Sequence, residues 1–170
     1  MKSHHIQRIT EILDLAQHDP HPVSGPFHLQ NYLSMIDQSH PLRWTIRFTN
    51  DYLDTVQIRH HLRLKQYLET LISLSSFRHL LSDSMMKKAE EIWYLKIDTS
   101  EMTQDEVEKD VLYQRAVSRL YASVAQYLDN DYHESNKDLS RVISVLSQIN
   151  DGKFWDFLKQ HFIDYVNSIQ

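Results

Sequence analysis

The amino-acid sequence predicts an all-α protein, folded as a single-domain bundle of six or seven helices. Only 2 glycines and 4 prolines occur in 170 residues, whereas turn-rich β architectures need many more of both. Apolar residues recur three and four positions apart along most of the chain, which is the period of an amphipathic helix. The chain has no cysteine, but its length allows a sizeable core without disulfides.

The first predicted helix begins after Ser3, a residue type that favours helix N-caps, and extends to Gln17. The segment 19–26 follows, and it holds three of the four prolines and one of the two glycines. Such a concentration predicts a break in the helical pattern. We expect a structured loop within one domain of residues 1–170. The alternative is that this segment tethers a mobile N-terminal arm, residues 1–18.

Residues 27–37 form the second predicted helix, and residues 42–48 leave two alternatives. Apolar and polar side chains alternate along the latter range, which is the period of a strand. The same residues also fit a helix, because Trp44, Phe48 and Tyr52 lie four positions apart. We expect a helix, since a strand without a partner would leave its backbone groups unpaired.

The helical pattern is strongest over residues 51–74, which predict one helix with a bend near its end. The next helix is expected to begin at Ser82 or Asp83. Its apolar side is formed by four residues: Met86, Ala89, Ile92 and Trp93.

A capping box gives the most specific helix start in the sequence. Thr103 is followed by Glu106, the pair whose side chains satisfy free N–H groups at a helix N-terminus. The long helix that follows is expected to end at residues 129–131. Another helix is expected to end at residues 150–152, where Gly152 suits a left-handed conformation.

The last predicted helix extends from Lys153 to Ser168, and apolar residues surround most of its circumference. Such a helix is normally buried at the centre of a fold or packed against another subunit. We therefore expect that the protein forms a homo-oligomer through residues 153–169.

Several common chemistries lack their usual residues. The absence of cysteine excludes thiol nucleophiles and thiolate metal sites, and two isolated glycines cannot build a phosphate-binding loop. None of the 11 histidines follows a glutamate by three positions, so the usual helical di-iron and zinc patterns are missing. Nothing selects His79 or His161 as a heme ligand. We expect no catalytic residue, no metal and no cofactor.

The N-terminal residues lack an apolar signal-peptide core, and no apolar run approaches the length of a bilayer span. We expect a cytoplasmic protein without membrane contact. The net charge is −5, which disfavours nucleic acid as a partner.

Basic residues suggest a surface for a protein partner. Residues 41–80 hold six Lys/Arg against three acids, and residues 98–140 hold ten acids against four bases. Two pairs of arginines lie one helical turn apart and could each form a basic ridge. These candidates are Arg43, Arg47, Arg59 and Arg63.

Histidines and aromatic residues supply two further candidate sites. His60 and His61 lie between arginines, where a half-buried imidazole could respond to pH or bind an anion; a packed, hydrogen-bonded histidine is the favoured alternative. A candidate apolar pocket or interface is formed by Trp93, Trp155, Phe157 and Phe162.

These features predict a non-enzymatic interaction or regulatory protein, such as an adaptor, inhibitor or immunity-type protein, that binds a protein partner. The alternative is a helical sensor domain that holds an apolar molecule, lipid or heme-like, between its helices. The first hypothesis rests on the uneven charge and the apolar last helix, and the second on the aromatic residues.

Overall fold

A computed structural model describes residues 2–21, 23–56, 62–149 and 152–170. All regular secondary structure within these ranges is α-helical, which confirms the all-α class. The helices are α1 (Lys2–His18), α2 (Ser24–Ile36), α3 (His40–Val56), α4 (Leu62–Ile72), α5 (Ser82–Trp93), α6 (Gln104–Leu128), α7 (Tyr132–Ser147) and α8 (Phe154–Ile169). The predicted count of six or seven is too low, because the described residues contain eight helices.

The range 51–74, predicted as one helix, contains parts of two described helices. Helix α3 extends to Val56, and α4 begins only at Leu62. Residues 57–61 lie outside the described residues. Residues 42–48 belong to α3, so the helix alternative is confirmed and the strand alternative is wrong.

Helix α3 is buried over most of its surface. Trp44, Phe48 and Tyr52 are fully buried. One polar side stays exposed, at Arg47 and Asp51. The strand-like alternation of residues 42–48 arises because a threonine is buried among the apolar residues. The helix packs against α2, α4, α6, α7 and α8. Helix α3 therefore occupies the central position that the sequence suggested for the last helix.

Buried polar side chains on α3 find partners within the helix and on α2. The Thr45 hydroxyl donates to the Pro41 carbonyl oxygen (2.8 Å), and the Thr49 hydroxyl donates to the Thr45 carbonyl oxygen (2.7 Å). The Gln30 side-chain amide of α2 donates to the Thr45 hydroxyl (2.9 Å). Polar groups that keep hydrogen bonds avoid most of the cost of burial, so α3 can carry threonines at the centre of the bundle.

Helix α8 packs against α3 and α1 rather than at the centre. Its large apolar side chains are buried or half-buried within the chain. The residues that suggested self-association are thus accommodated by intramolecular packing, and a homo-oligomer through residues 153–169 stays a prediction.

Two of the helix ends depend on local side-chain and backbone chemistry. The Thr103 hydroxyl accepts a hydrogen bond from the Glu106 backbone N–H (3.2 Å), as the capping box predicts. At the end of α6, Asn130 adopts a left-handed conformation with φ of 61°, and the following N–H donates to the Gln126 carbonyl oxygen (2.9 Å). Helix α7 ends at Ser147 rather than at residues 150–152, and residues 150 and 151 lie outside the described ranges.

The predicted caps at Ser3 and Ser82 do not act as such. Helix α1 begins at Lys2 and already includes Ser3. Ser82 is the first residue of α5, and its hydroxyl contacts the Asp129 carboxylate (2.9 Å) and the Ala125 carbonyl oxygen (3.2 Å). Ser82 therefore fastens the start of α5 to the end of α6.

The proline-rich segment is shorter than predicted, because α2 begins at Ser24 instead of Phe27. The Asp19 carboxylate accepts hydrogen bonds from the His21 backbone N–H (2.8 Å) and the Ser24 hydroxyl (2.9 Å). These bonds, that of His21 above all, lower the pKa of Asp19. The turn leads directly from α1 into α2.

Gly25 lies where α2 approaches the backbone of α1 closely. A Cβ atom at this position would stand 2.7 Å from the Ala16 carbonyl oxygen. Backbone atoms of a packed helix cannot yield as a flexible side chain would. The α1–α2 packing therefore requires glycine at position 25.

We expect Gly25→Ala to destabilise the protein by about 1–3 kcal/mol, because the added methyl group forces the two helices apart. Gly152→Ala is the matched control, since nothing lies within 4 Å of a Cβ atom there. Urea unfolding followed by circular dichroism measures both free energies of unfolding. Equal stabilities of the two variants would contradict the close α1–α2 approach.

Candidate functional site

The predicted arginines that the structure describes lie on two helices. Arg43 and Arg47 lie one turn apart on α3, and Arg63 lies on α4. Arg59, His60 and His61 lie outside the described residues, so their predicted roles stay predictions.

Arg43 serves as a structural tether. Its guanidinium donates to the Ser75 carbonyl oxygen (2.8 Å) and to the Ser39 hydroxyl (3.3 Å). The same group lies 5.6 Å from the centroid of the Phe77 ring. Arg43 thereby holds the segment after α4 against α3. Arg47 is more exposed and lies 5.7 Å from the Tyr165 ring centroid.

The predicted apolar set is divided between two regions of the fold. Phe162 is fully buried against Trp44 of α3, and Phe157 is half-buried with its ring 5.9 Å from that of Phe48. Trp155 is half-buried against its neighbour Phe154 in α8 (5.3 Å between ring centroids). Among the described residues no ring contact joins these side chains to Trp93. The structure thus places three of the four residues together and leaves Trp93 apart.

His161 lies in a hydrogen-bonded chain between α8 and α3. The Trp44 indole N–H, which can only donate, bonds to His161 Nδ1 (3.1 Å). The ring proton must then reside on Nε2, which donates to the Asp51 carboxylate (2.7 Å). This bond is the main cause that lowers the pKa of Asp51. Both imidazole nitrogens are engaged, so neither offers a lone pair to an iron atom or to a substrate proton.

The remaining candidate ligands are dispersed. His79 is exposed in the segment between α4 and α5. Within the described ranges, no three histidine or acidic side chains lie in a geometry that could hold a metal ion. The histidine-rich composition therefore does not produce a metal site in this part of the chain.

A second histidine joins α3 to α8 one helical turn closer to the start of α3. His40 Nδ1 and the Tyr165 hydroxyl are 2.9 Å apart, and the two rings meet edge to face. Burial lowers the pKa of His40, and Arg43 and Arg47 act in the same direction, whereas Asp37 opposes them. Burial likewise raises the pKa of Tyr165. The pair is therefore neutral near pH 7.

Trp93, at the end of α5, is the most distinctive exposed aromatic residue of the described chain. Its side chain is 41% exposed, although tryptophan is normally well buried. The guanidinium carbons of Arg115 and Arg119, one turn apart on α6, lie 5.8 and 5.9 Å from its ring centroid. Met86 is 38% exposed and lies on the same side of α5 as Trp93. Tyr94, the next residue in the sequence, is 78% exposed. Together, these five residues form the Trp93 surface: Met86, Trp93, Tyr94, Arg115 and Arg119.

The Trp93 surface borders a shallow cavity of about 340 Å³ between α5, α6 and α7. Its floor is made of small side chains, among them Ala89, Ser118 and Ala122. Asp138 of α7 closes the far side and is itself buried. The cavity is open to solvent and lies at the small end of the range for ligand pockets.

Buried polar residues of α6 hold the Trp93 surface in place. The Gln114 side-chain amide donates to the carbonyl oxygens of Ile92 (2.7 Å), Trp93 (3.0 Å) and Leu95 (2.8 Å). The Ser118 hydroxyl donates to the Ala89 carbonyl oxygen (2.7 Å). These bonds connect carbonyl groups at and near the end of α5 to α6, so the backbone that carries Trp93 is fixed to α6.

The sequence pattern placed Ala89 and Ile92 correctly on the core side of α5, but not Met86 and Trp93. Met85, Ala89 and Ile92 are buried, whereas Met86 and Trp93, which we expected to face inward, form the exposed surface. Met85 and Met86 are neighbours in the sequence, so an apolar stripe at helical spacing could include either of them. The contribution of Arg115 and Arg119 was missed, because they lie in the acidic part of the sequence; their spacing of one turn was the only available signal.

No protein-family model, curated protein or solved structure matches this chain. None of the described helices is both long enough and apolar enough to cross a bilayer. Function must therefore be inferred from the residues themselves.

We expect His161→Phe to cost about 1–3 kcal/mol of stability, because the buried Trp44 N–H loses its acceptor. Asp51→Asn is the matched comparison: its side chain is half-exposed and its amide oxygen can still accept from Nε2, so we expect a loss below about 1 kcal/mol. Urea unfolding measures both. An Asp51→Asn variant as unstable as His161→Phe would contradict the assigned roles.

We expect the protein to lose stability as the pH falls below about 6.5, the ordinary pKa of histidine. The folded state holds the pKa of His40 below that value, so the unfolded state binds more protons in this range and stability falls. His40→Asn, which keeps a polar atom near Tyr165, should reduce the loss measured by urea unfolding between about pH 7.5 and 5.5. His79→Asn, at an exposed histidine, is the control; an equal reduction in both variants would contradict the role of His40.

Proposed function

We propose that this chain is a non-enzymatic interaction protein that binds a protein partner through the Trp93 surface. The observation that carries the proposal is a partly exposed tryptophan flanked by two arginines on a fixed backbone. Tryptophan, tyrosine and arginine are the residues most enriched among those that dominate binding energy at protein interfaces. All three types occur in this surface, as Trp93, Tyr94, Arg115 and Arg119.

The physical reason is that an indole ring combines a large apolar face with little conformational freedom. Covering the exposed part of Trp93 would remove apolar area from water. Met86 would extend this apolar area with a flexible side chain that adapts to different partners. The arginines would supply charged donors at its border, which select among partners and orient them.

Preorganisation favours binding at this surface over the other exposed apolar residues. The bonds from Gln114 and Ser118 fix the end of α5 before any partner arrives. A partner would then not have to order this segment, which lowers the entropic cost of association. Leu81 and Met35 are more exposed than Trp93, but they lack neighbouring arginines of this kind.

The apolar-ligand alternative has weaker support. It required Trp93 and the aromatic residues of α8 to line one pocket, and these side chains lie apart. A heme would need a free imidazole nitrogen, whereas those of His161 bond to Trp44 and Asp51. Lipid binding needs an enclosed apolar cavity, but the cavity beside Trp93 is open and bordered by charges.

The type of interaction protein stays open between an adaptor, an inhibitor and an immunity-type protein, since each needs only a specific binding surface. We further propose a cytoplasmic location, because a cysteine-free chain suits a reducing compartment. The apolar side chains of α8 are largely covered within the chain. Self-association through α8 would therefore have to use the part of the helix surface that stays exposed.

We expect Trp93→Ala to weaken partner binding by about thirtyfold, which corresponds to the loss of about 2 kcal/mol at an interface hot spot. Tagged wild-type and variant proteins would be used to capture partners from the native cell. Each candidate partner would then be purified, and its affinity measured by calorimetry.

Met35→Ala is the matched control, since it removes a strongly exposed apolar side chain on α2. A partner that binds wild type and Met35→Ala equally, but not Trp93→Ala, supports the proposal. Circular dichroism must show that all three proteins are folded. A stoichiometric partner with equal affinity for Trp93→Ala and wild type would refute it.

A further inference from the structure

The charges around the Trp93 surface are unequal. Asp138 is the buried carboxylate beside the cavity. Its Oδ1 atom forms ion pairs with two guanidinium groups, that of Arg141 at 2.8 Å and that of Arg119 at 3.5 Å. Arg115 is exposed and has no carboxylate within ion-pair distance among the described residues. Glu90 also borders the cavity, whose lining includes Arg119 but neither Arg115 nor Arg141.

The unequal charge is concentrated at the indole ring. The Arg115 and Arg119 guanidinium groups both lie within 6 Å of its centroid, and they belong to successive turns of α6. A carboxylate brought close to the ring would lie near both cations, and hydrogen bonds between charged groups are stronger than those between neutral groups. An incoming ammonium group would instead meet like charges.

The apolar part lies directly beside the cations. Met86 and the ring of Trp93 border the cavity, and small side chains at Ala89 and Ala122 leave room above α6. An apolar side chain can enter there without displacing a charged group. The two features therefore suit a ligand that carries an apolar group and a carboxylate close together.

We infer that the partner presents an acidic segment, in which an apolar side chain contacts Trp93 and Met86 while a nearby carboxylate pairs with Arg115 and Arg119. This inference rests on the proposed function, which assigns binding to the same surface. The occupant is a peptide segment of another protein. Nucleic acid does not suit the site, because a chain with a net charge of −5 repels a long polyanion.

Selection from a library of short random peptides tests the inference without a known partner. Wild-type protein is the bait, and peptides that also bind Trp93→Ala are removed. We expect the remaining peptides to share an Asp or Glu at a constant distance from a large apolar residue. We also expect their binding to weaken with increasing salt, because partly exposed ion pairs are screened.

Arg115→Glu then tests the charge pairing directly. We expect it to weaken a selected peptide about tenfold, and a peptide with lysine in place of its acid should bind this variant better than wild type. Arg8→Glu is the matched control, because it makes the same charge change at an exposed arginine of α1. It should leave the affinity unchanged.

The outcomes separate the two proposals. Trp93-dependent peptides without a shared acid, or an Arg115→Glu variant that binds like Arg8→Glu, would overturn the acidic segment and leave the proposed function intact. A selection with no Trp93-dependent peptide would overturn both. Light scattering tests a second copy as the occupant: concentration-dependent dimers that Trp93→Ala abolishes would overturn the assignment to another protein.

Discussion

The contact between α3 and α8 holds the centre of this protein together. Trp44, Phe48 and Tyr52 lie on successive turns of α3, with their rings stacked at 5.4 and 5.8 Å between centroids. Phe162 and Phe154 of α8 meet the two ends of this row edge to face, at 5.1 and 5.2 Å. Such aromatic pairs add stability beyond the area that they bury. Helix α3 also contacts α2, α4, α6 and α7, whereas α5 packs against α6.

Polar side chains border the aromatic row and fix its register. His161 bonds to Trp44 near one end, and the Tyr52 hydroxyl donates to the Ile149 carbonyl oxygen (3.1 Å) after α7. A hydrophobic contact alone tolerates sliding of one helix along another, whereas a buried donor tolerates only the position that gives it an acceptor. His40 and Tyr165 add the same kind of restraint at the start of α3.

Helix α6 connects the core of the bundle to the proposed binding surface. Gln114 and Ser118 attach it to α5, and the Ser135 hydroxyl of α7 donates to the Ser123 carbonyl oxygen of α6 (2.9 Å). The cavity beside Trp93 lies between three helices that are joined by buried hydrogen bonds. Its shape thus follows from the fold, and the exposed indole is held at a rigid position.

The sequence by itself determined the helical class, since the scarcity of glycine and proline and the apolar period are properties of the chain alone. It also determined the start of α6, because the cap at Thr103 needs only residues within one turn. Only the tertiary structure decided which face of each helix is buried. Arginine pairs one turn apart occur on α3 and on α6, yet Arg43 ties down a neighbouring segment while Arg115 borders an exposed indole. The spacing is identical, and the difference arises because partners distant in sequence decide what each side chain meets.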